Sequence, residues 1–372
     1  METMFEKLIG RVRNRRLQAI AEKVGSDLAV DESDALYMLT TSDILELGLI
    51  AHALRTKLHG DTTYYGVNMN LNYTNVCELR CPLCAFSRSE GDADAYTLTL
   101  EGIEERVRGA VLSGIDEVHI VGGLNPGLKI GYFEEMLARI KSVKPDIFIV
   151  AFTAVEYDYF ARVNNLSIEE VFARMKNAGL GALPGGGAEI FDPAIRNQIA
   201  PRKISGKRWL EIMKIAHGLG LKTNATLLYN HLERPEDIVH HLSHLRSLQD
   251  ETGGFKTFVP LCYHDSGMGI SSKRAQPTGL DEIRLFSASR IFLHNIPHLK
   301  ALWMYLGEKM AQVLLHFGVD DLGGTYNNEK VVHAAGASTP DAGSEQHIKR
   351  LIESSGLKPV RSVASYGVIR AS

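Results

Sequence analysis

Three of the four cysteines in the chain, Cys77, Cys81 and Cys84, lie within eight residues. A secreted disulfide scaffold would spread an even number of cysteines along the chain, whereas clustered thiols in a reducing compartment indicate metal or redox chemistry. The fourth, Cys262, stands in the apolar run Phe258–Tyr263, which is typical of a buried thiol that packs as a small hydrophobe. The group of three is therefore the first candidate for a chemical site.

Two kinds of metal site suit three clustered thiolates. Structural zinc prefers four ligands, and the next histidine downstream is the distant His119, so a zinc-stabilised binding module needs a remote fourth ligand. Iron–sulfur clusters are held by closely spaced cysteines, and three cysteines leave one iron of a 4Fe–4S cube open to an exogenous ligand. Phe86, two residues after Cys84, provides an aromatic face beside that iron. A third interpretation is three buried cysteines with no shared role.

The elements that must position this loop begin at about residue 63, where short β-rich segments alternate with amphipathic helices. The predicted strands are Gly66–Leu71, Glu117–Val121, Ile147–Phe152, Gly181–Leu183, Thr223–Leu228, Lys256–Leu261, Leu299–Met304 and Asp320–Leu322. The predicted helices are 99–113, 131–142, 167–178, 206–219, 235–249, 280–294 and 307–316. This alternation over about 250 residues predicts an α/β fold, a closed TIM-type barrel of eight or nearly eight units, rather than an open doubly wound sheet.

We expect three regions: an N-terminal helical extension over 1–62, the barrel over 63–325, and a polar C-terminal extension over 326–372 with a helix near 344–355. Apolar residues make up 45% of the chain and charged residues 23%, which excludes wholesale disorder. A net charge of −3 gives no basic field for nucleic acid or for a membrane surface. Because there is also no apolar signal core and no membrane-length apolar stretch, we expect a cytoplasmic protein.

In a parallel barrel, functional residues come from the loops that follow the carboxyl ends of the strands. Several unusual segments fall at those positions; they are Asn75–Ser87, Gly122–Pro126, Thr153–Glu156, Pro184–Glu189 and Tyr229–Glu233. Because the carboxyl ends of parallel strands meet at one end of a barrel, these segments converge. Their convergence indicates an enzyme.

The cysteine spacing, with Phe86 on the loop after the first barrel strand, resembles the signature of the radical S-adenosylmethionine (SAM) superfamily. Further segments resemble the aminodeoxyfutalosine synthase family of menaquinone biosynthesis; they are Asn72–Cys77, Cys84–Arg88, His119–Pro126, Ala151–Glu156, Leu183–Ile190, Asn224–Thr226 and Gln249–Phe255. Its sister enzymes are cyclic dehypoxanthinyl futalosine synthase and tyrosine–ribitylaminouracil synthase. His119–Pro126 and Ala151–Glu156 favour the first family. Asn230, where the family pattern has glycine, and the loop Asp265–Ala275 depart from it.

The resemblance implies one 4Fe–4S cluster held by Cys77, Cys81 and Cys84, with SAM as exchangeable ligand and co-substrate. SAM would receive one electron, ultimately from a donor such as flavodoxin or ferredoxin, and release a 5′-deoxyadenosyl radical. The radical would add to the vinyl carbon of the anionic substrate 3-[(1-carboxyvinyl)oxy]benzoate. Aryl migration and loss of carboxylate would then give 6-amino-6-deoxyfutalosine.

Four residues at the strand ends are candidates for binding SAM, as is Phe86. The backbone carbonyls of Gly122 and Gly123 would accept hydrogen bonds from the methionyl ammonium, the alternative being a plain tight turn. Glu189 would bind the ribose hydroxyls or the methionyl amine, and Glu156 is a similar candidate. For Glu189, the alternative is a carboxylate on the protein surface.

Five further candidates lie on or after the fourth and fifth strands. Asn224 and Thr226 share one face of the fifth strand, where they would bind the cofactor or each other. Arg196 would clamp a carboxylate of methionine or of the substrate, the alternative being an ion pair on a helix surface. His231 and Glu233 would move a proton or bind the substrate, the alternative being a solvated loop.

Overall fold

The computed structural model describes residues 4–264, 270, 276–326, 330–337, 339–340 and 342–367. Four helices precede the first strand: α1 (Met4–Ile9), α2 (Arg15–Gly25), α3 (Glu32–Thr40) and α4 (Ile44–His59). They confirm the predicted N-terminal helices, and α3 and α4 pack against later barrel helices. Of the divergent segment 265–275, only Ile270 is among the described residues.

The main sheet contains seven parallel strands in sequential order. After β1 (Thr62–Gly66), these strands are β2 (Asn68–Leu71), β3 (Glu117–Ile120), β4 (Phe148–Ala151), β5 (Ala182–Leu183), β6 (Lys222–Tyr229), β7 (Phe255–Cys262) and β8 (His298–Leu299). The helices between β2 and β8 are α5 (Leu100–Leu112), α6 (Ile130–Val143), α7 (Ala154–Asn164), α8 (Ile168–Asn177), α9 (Pro193–Ile199), α10 (Gly206–Gly218), α11 (Pro235–Thr252) and α12 (Gly279–Phe292). Parallel strands joined by helices confirm the α/β barrel architecture.

A second parallel sheet, in the order β10–β1–β9, joins the first strand to β9 (Asp321–Gly324) and β10 (Lys358–Arg361). The last helices are α13 (Trp303–Leu306), α14 (Glu308–Leu314), α15 (Val331–Ala334) and α16 (Glu345–Ser354). The Ala301 N–H donates to the Asp321 carbonyl at 2.9 Å, and the Asp320 N–H donates to the Leu299 carbonyl at 3.1 Å. Because β1 leads directly into β2, these bonds curl the sheets around a central cavity.

The structure corrects two of the predicted elements. Leu299–Met304 is strand only as far as Leu299, because the chain turns into α13 and the Trp303 indole N–H donates to the Gly324 carbonyl at 2.9 Å. Thr153–Glu156, expected to be a loop, begins α7 with a reciprocal capping box in which each side chain accepts the other's backbone N–H. Every helix among the described residues is too short or too polar to cross a membrane.

Candidate active site

The barrel encloses a cavity of about 370 Å³, within the size range of small-molecule sites. Its mouth is formed by the cysteine loop and by the loops after β3, β4 and β5, and its walls include apolar side chains such as Val150 and Val259. Its floor is polar and contains Glu117, Lys300 and Asp321. Ten of the residues predicted from sequence line this one cavity: Cys77, Cys81, Cys84, Phe86, Gly122, Gly123, Glu156, Glu189, Asn224 and Thr226.

The cysteine loop is tied to its surroundings through its backbone. The Cys77 N–H donates to the Arg88 carbonyl at 3.0 Å, and the Cys84 N–H donates to the Cys81 carbonyl at 2.9 Å. All three cysteines are free thiols; Cys81 is buried and the other two are half-buried. Burial raises the pKa of the Cys81 thiol to about 11, although the nearby Lys203 ammonium opposes that shift. The loop therefore presents three sulfur ligands to the cavity.

The three cysteines supply one ligand fewer than a structural zinc site needs, and as many as a 4Fe–4S cube with one open iron needs. Tetrahedral zinc with Zn–S bonds of about 2.3 Å needs its sulfurs roughly 3.8 Å apart. Among the described residues, His59, His298 and Asp320 form the one group of three potential ligands close enough together for a single metal ion, and that group includes no cysteine. A 4Fe–4S cube takes three thiolates on three different irons.

Gly122 and Gly123 let the loop after β3 pack directly beneath the cysteine loop. A Cβ on Gly123 would lie 2.1 Å from the Val76 carbonyl oxygen, and one on Gly122 would lie 2.6 Å from the Tyr73 ring. The Gly123 N–H donates to the Thr74 carbonyl at 2.9 Å. Gly123 is therefore required by the close approach of two backbones, and Gly122 by the close approach of the Tyr73 ring.

Glu156 is a buried carboxylate that joins three segments near the mouth. It accepts the Thr153 N–H at 2.6 Å, the Tyr73 hydroxyl at 2.8 Å and the Gly122 N–H at 3.1 Å. Burial raises its pKa to about 7, against the lowering effect of these three donors. Both carboxylate oxygens already accept hydrogen bonds from the protein. One of these bonds, from the Gly122 N–H, holds the loop after β3 in position.

Glu189 forms an ion pair with Lys203, a residue that the sequence analysis did not select. The two side chains are 9% and 17% exposed, and both line the cavity. Burial alone would raise the pKa of Glu189, but the Lys203 ammonium lowers it overall. Because Lys203 stands beside Arg202 in the short connection between α9 and α10, no local spacing distinguishes it as a site residue. The structure adds this cation to the cysteine end of the cavity.

Asn224 and Thr226 face the cavity, as their alternation on β6 predicts, but neither depends on the other for hydrogen bonding. The Thr226 hydroxyl donates to the Gly185 carbonyl at 2.6 Å, and the side-chain amide oxygen of Asn224 accepts from the Lys256 ammonium. Phe86 also lines the cavity, with its ring centroid 6.4 Å from that of Tyr96.

Comparisons with known proteins agree with this geometry. Residues 71–245 match the family model of the radical SAM superfamily, and residues 252–371 match that of the CofH/MqnC C-terminal region. An aminodeoxyfutalosine synthase from Thermus thermophilus is 37% identical over 362 residues, which cover 96% of this chain and 97% of that enzyme. The chain belongs to the aminodeoxyfutalosine synthase family of radical SAM enzymes. Radical SAM enzymes use a 4Fe–4S cluster together with SAM.

Two further relatives show how far the comparison extends. A 5-amino-6-(D-ribitylamino)uracil–L-tyrosine 4-hydroxyphenyl transferase from Methanopyrus kandleri is 37% identical over 346 residues, covering 92% of this chain and 94% of that enzyme. The crystal structure of methylornithine synthase superposes with a TM-score of 0.74 at 15% identity, over 92% of this chain and 97% of the other. The latter likeness supports the barrel fold of this radical SAM enzyme.

In this radical SAM enzyme, Arg196 does not line the cavity; it holds together the backbone of the glycine-rich loop instead of clamping a carboxylate. Its guanidinium donates to the carbonyls of Gly187 at 2.8 Å and Ala188 at 2.5 Å. It also donates to the carbonyls of Ile190 at 3.2 Å and Ile204 at 2.6 Å. Since the planar fork is fully used and only 5% exposed, the geometry supports a structural role.

We therefore expect Arg196→Lys to destabilise the radical SAM enzyme by about 3 kcal/mol, because one ammonium cannot replace the fork and buried carbonyls lose their donors. Urea unfolding of protein without SAM would show a lower midpoint at unchanged slope. Arg108→Lys is the matched control, since Arg108 lies on the surface of α5 and pairs with Glu104. If the urea midpoint were unchanged and SAM binding were weaker, Arg196 would be a carboxylate clamp, as the sequence predicts.

His231 and Glu233 also turn away from the cavity and form the turn after β6. Glu233 accepts the backbone N–H of Asn230 at 2.7 Å and that of His231 at 2.9 Å. The His231 ring lies against the Leu228 carbonyl at 2.9 Å and is fully buried. These side chains hold the turn in place and are not among the residues that line the cavity. The geometry therefore gives no support to the expected proton-transfer role.

Asn230 has a φ of +72°, in the left-handed region that glycine and asparagine adopt readily. The departure from the family's glycine is therefore conformationally conservative. We expect Asn230→Gly to leave stability within about 0.5 kcal/mol, and Asn230→Ala to lower it by about 1 kcal/mol. Urea unfolding of the two variants tests this, and equal midpoints for alanine and glycine would contradict it.

Proposed function

We propose that this chain is an aminodeoxyfutalosine synthase. It would add the 5′-deoxyadenosyl group of SAM to 3-[(1-carboxyvinyl)oxy]benzoate, with aryl migration and decarboxylation, to give 6-amino-6-deoxyfutalosine. The observation that carries the proposal is the 37% identity to the Thermus thermophilus enzyme, which extends over 96% of this chain against 92% for the equally identical transferase from Methanopyrus kandleri. The local segments His119–Pro126 and Ala151–Glu156 favour the same reaction over its sisters.

Cys77, Cys81 and Cys84 would hold the 4Fe–4S cluster at the cavity mouth. Bound there, the cluster supplies the single electron that cleaves SAM into methionine and a 5′-deoxyadenosyl radical. The position of all three cysteines on one loop and their shared access to the cavity support this assignment. A low-potential protein such as a flavodoxin or ferredoxin would be the electron donor, and a reducing cytoplasm suits four free cysteines.

The residues around the mouth would bind SAM. Gly122 and Gly123 bring backbone within reach of the methionyl group, and the Lys203 ammonium provides a cation for its carboxylate. Glu189 lies beside that cation and would accept from the methionyl ammonium or the ribose. Asn224 and Thr226 would contact the adenosyl part from β6, and Phe86 would cover the cluster. The apolar wall excludes water from the radical.

A tyrosine–ribitylaminouracil transferase is the second candidate, because the Methanopyrus kandleri relative is equally identical, at 37%. The two reactions differ in the fate of the adenosyl carbon. The synthase incorporates it into the product, whereas a hydrogen-abstracting sister releases 5′-deoxyadenosine. The cyclic dehypoxanthinyl futalosine synthase is also a hydrogen-abstracting sister and would release 5′-deoxyadenosine.

One labelling experiment separates these reactions. Anaerobically reconstituted protein is reduced with SAM that carries carbon-13 throughout its adenosyl group, first with the enolpyruvyl benzoate and then with tyrosine plus ribitylaminouracil. Mass spectrometry should find the intact label in a covalent, decarboxylated adduct with the first substrate. Labelled 5′-deoxyadenosine without an adduct, together with conversion of tyrosine, would contradict the proposal.

A further inference from the structure

Four charged side chains are grouped at the floor of the cavity. Glu117, Lys300 and Asp321 line it, whereas the buried Lys256 lies outside the lining and donates to Asn224. Lys300 forms a parallel bridge with Asp321, which places it level with the beginning of β9. Glu117 begins β3, Lys256 is the second residue of β7, Lys300 follows β8, and Asp321 begins β9. The cysteine loop follows the other end of β2. Because all these strands are parallel, the four charges lie at the opposite end of the cavity from the three sulfurs.

The two carboxylates of the floor are supplied with donors by the protein. The Ala364 N–H donates to Glu117 at 2.5 Å, and the Tyr366 hydroxyl donates to Asp321 at 2.7 Å. The other oxygen of Asp321 accepts the Gly323 N–H at 2.6 Å. Two of these donors come from the C-terminal segment, which closes the barrel from below. The carboxylates are therefore well satisfied before any ligand binds.

Among the described residues, each of the two ammonium groups has fewer nearby acceptors than its three N–H donors can use. Lys300 lies 3.1 Å from an Asp321 oxygen, and Lys256 donates to the neutral Asn224 side chain. Burial, together with repulsion from Lys300, lowers the pKa of Lys256 to about 7. Lys300 lines the cavity, and its side chain is 15% exposed. The floor therefore has N–H donors to spare for an anion.

The wall between the two ends suits an aromatic ring. Side chains that line it include Val150, Leu228, Val259 and Leu261. A planar apolar body held here would place one end at the Lys300 ammonium and the other toward the cysteine loop. The matching ligand is an aryl carboxylate with its reactive substituent on the far side of the ring.

We propose that Lys300, with Lys256 behind it, binds the ring carboxylate of the aromatic substrate and so directs the enol ether toward the cysteine end of the cavity. The identity of that substrate rests on the proposed function. Lys300 is then the positioning and specificity-determining cation of the site, since a charge-assisted hydrogen bond from a largely buried ammonium favours an anionic ligand.

The test measures equilibrium binding of the enolpyruvyl benzoate to unreduced, reconstituted enzyme by calorimetry. Lys300→Met should weaken binding about 30-fold or more, and Lys300→Arg should retain most of it. The carboxamide analogue, which lacks the ring charge, should bind wild-type protein as weakly as Lys300→Met binds the carboxylate. The same analogue should bind wild-type and Lys300→Met alike. Lys222→Met, an exposed lysine that begins β6, is the matched control.

The binding results test the assignment of Lys300 separately from the proposed function. If the carboxylate binds wild type and Lys300→Met equally, or if Lys300→Met weakens carboxylate and carboxamide to the same extent, the assignment of Lys300 is overturned and the lysine serves only to neutralise Asp321. If wild-type protein binds tyrosine but not the enolpyruvyl benzoate, the proposed function fails and this assignment fails with it. Circular dichroism of each variant confirms that a binding loss is not a folding loss.

Discussion

Replacing Cys81 with alanine is expected to reduce bound iron from about four atoms per chain to background and to abolish product formation. Cys81 is the buried member of the three-cysteine loop and lines the cavity. Because only three cysteines are available there, losing one leaves two ligands for a cube that needs three from the protein. Iron and sulfide analysis after anaerobic reconstitution measures the first effect, and mass spectrometry measures the second.

Cys262→Ala is the matched control for iron content. Cys262 ends β7, is also buried, and its sulfur lies 3.6 Å from the Tyr263 carbonyl oxygen. It should therefore retain a full complement of iron. A Cys81→Ala variant with normal iron, or a Cys262→Ala variant with none, would contradict the ligand assignment.

Gly123→Ala is the second substitution with a large expected effect. The added Cβ would lie 2.1 Å from the Val76 carbonyl oxygen and 3.1 Å from the Cys77 Cβ. Since the obstacle is backbone, it cannot move aside as a flexible side chain does. Overpacking of this kind costs about 1–3 kcal/mol or more, and here it displaces the loop that carries the sulfurs. We expect a lower urea midpoint and markedly reduced cluster loading.

Gly131→Ala controls for the loss of glycine itself. Gly131 is an exposed residue of α6 with no atom near the position of a new Cβ. Alanine there should be neutral or stabilising by up to about 1 kcal/mol, because it favours the helix. If Gly123→Ala unfolded like the control and took up iron normally, the close packing of the two loops would not matter for the site.

The sequence predicts those features that local spacing encodes. The three cysteines share one loop, so their chemistry is visible without a fold, and the alternation of strands and helices gives the barrel. Thr153 and Glu156 also carry a capping signal that marks the start of α7, although their position directly after a predicted strand favours a loop. The ends of short parallel strands are hard to predict from sequence when both faces are buried. The predicted strand Leu299–Met304 is therefore too long, since the observed strand ends at Leu299.

The sequence does not predict which way a side chain points after a strand ends. Glu189 has a φ of +49° and Asn230 a φ of +72°, and these left-handed residues set the directions of the chain that follows. Arg196 and His231 consequently face backbone carbonyls. Lys203 and Lys300 come from distant segments with no shared spacing, so only the folded barrel brings them to one cavity.

The central claim is that three cysteines hold a 4Fe–4S cluster whose fourth iron binds SAM. Electron–nuclear double resonance on the reduced, reconstituted enzyme, with SAM labelled by nitrogen-15 in its methionyl amine, tests it most directly. We predict a nitrogen-15 coupling that appears on adding labelled SAM and is absent from Cys81→Ala. A cluster whose spectrum does not respond to SAM, or whose fourth iron is coupled to a protein side chain, would contradict the account.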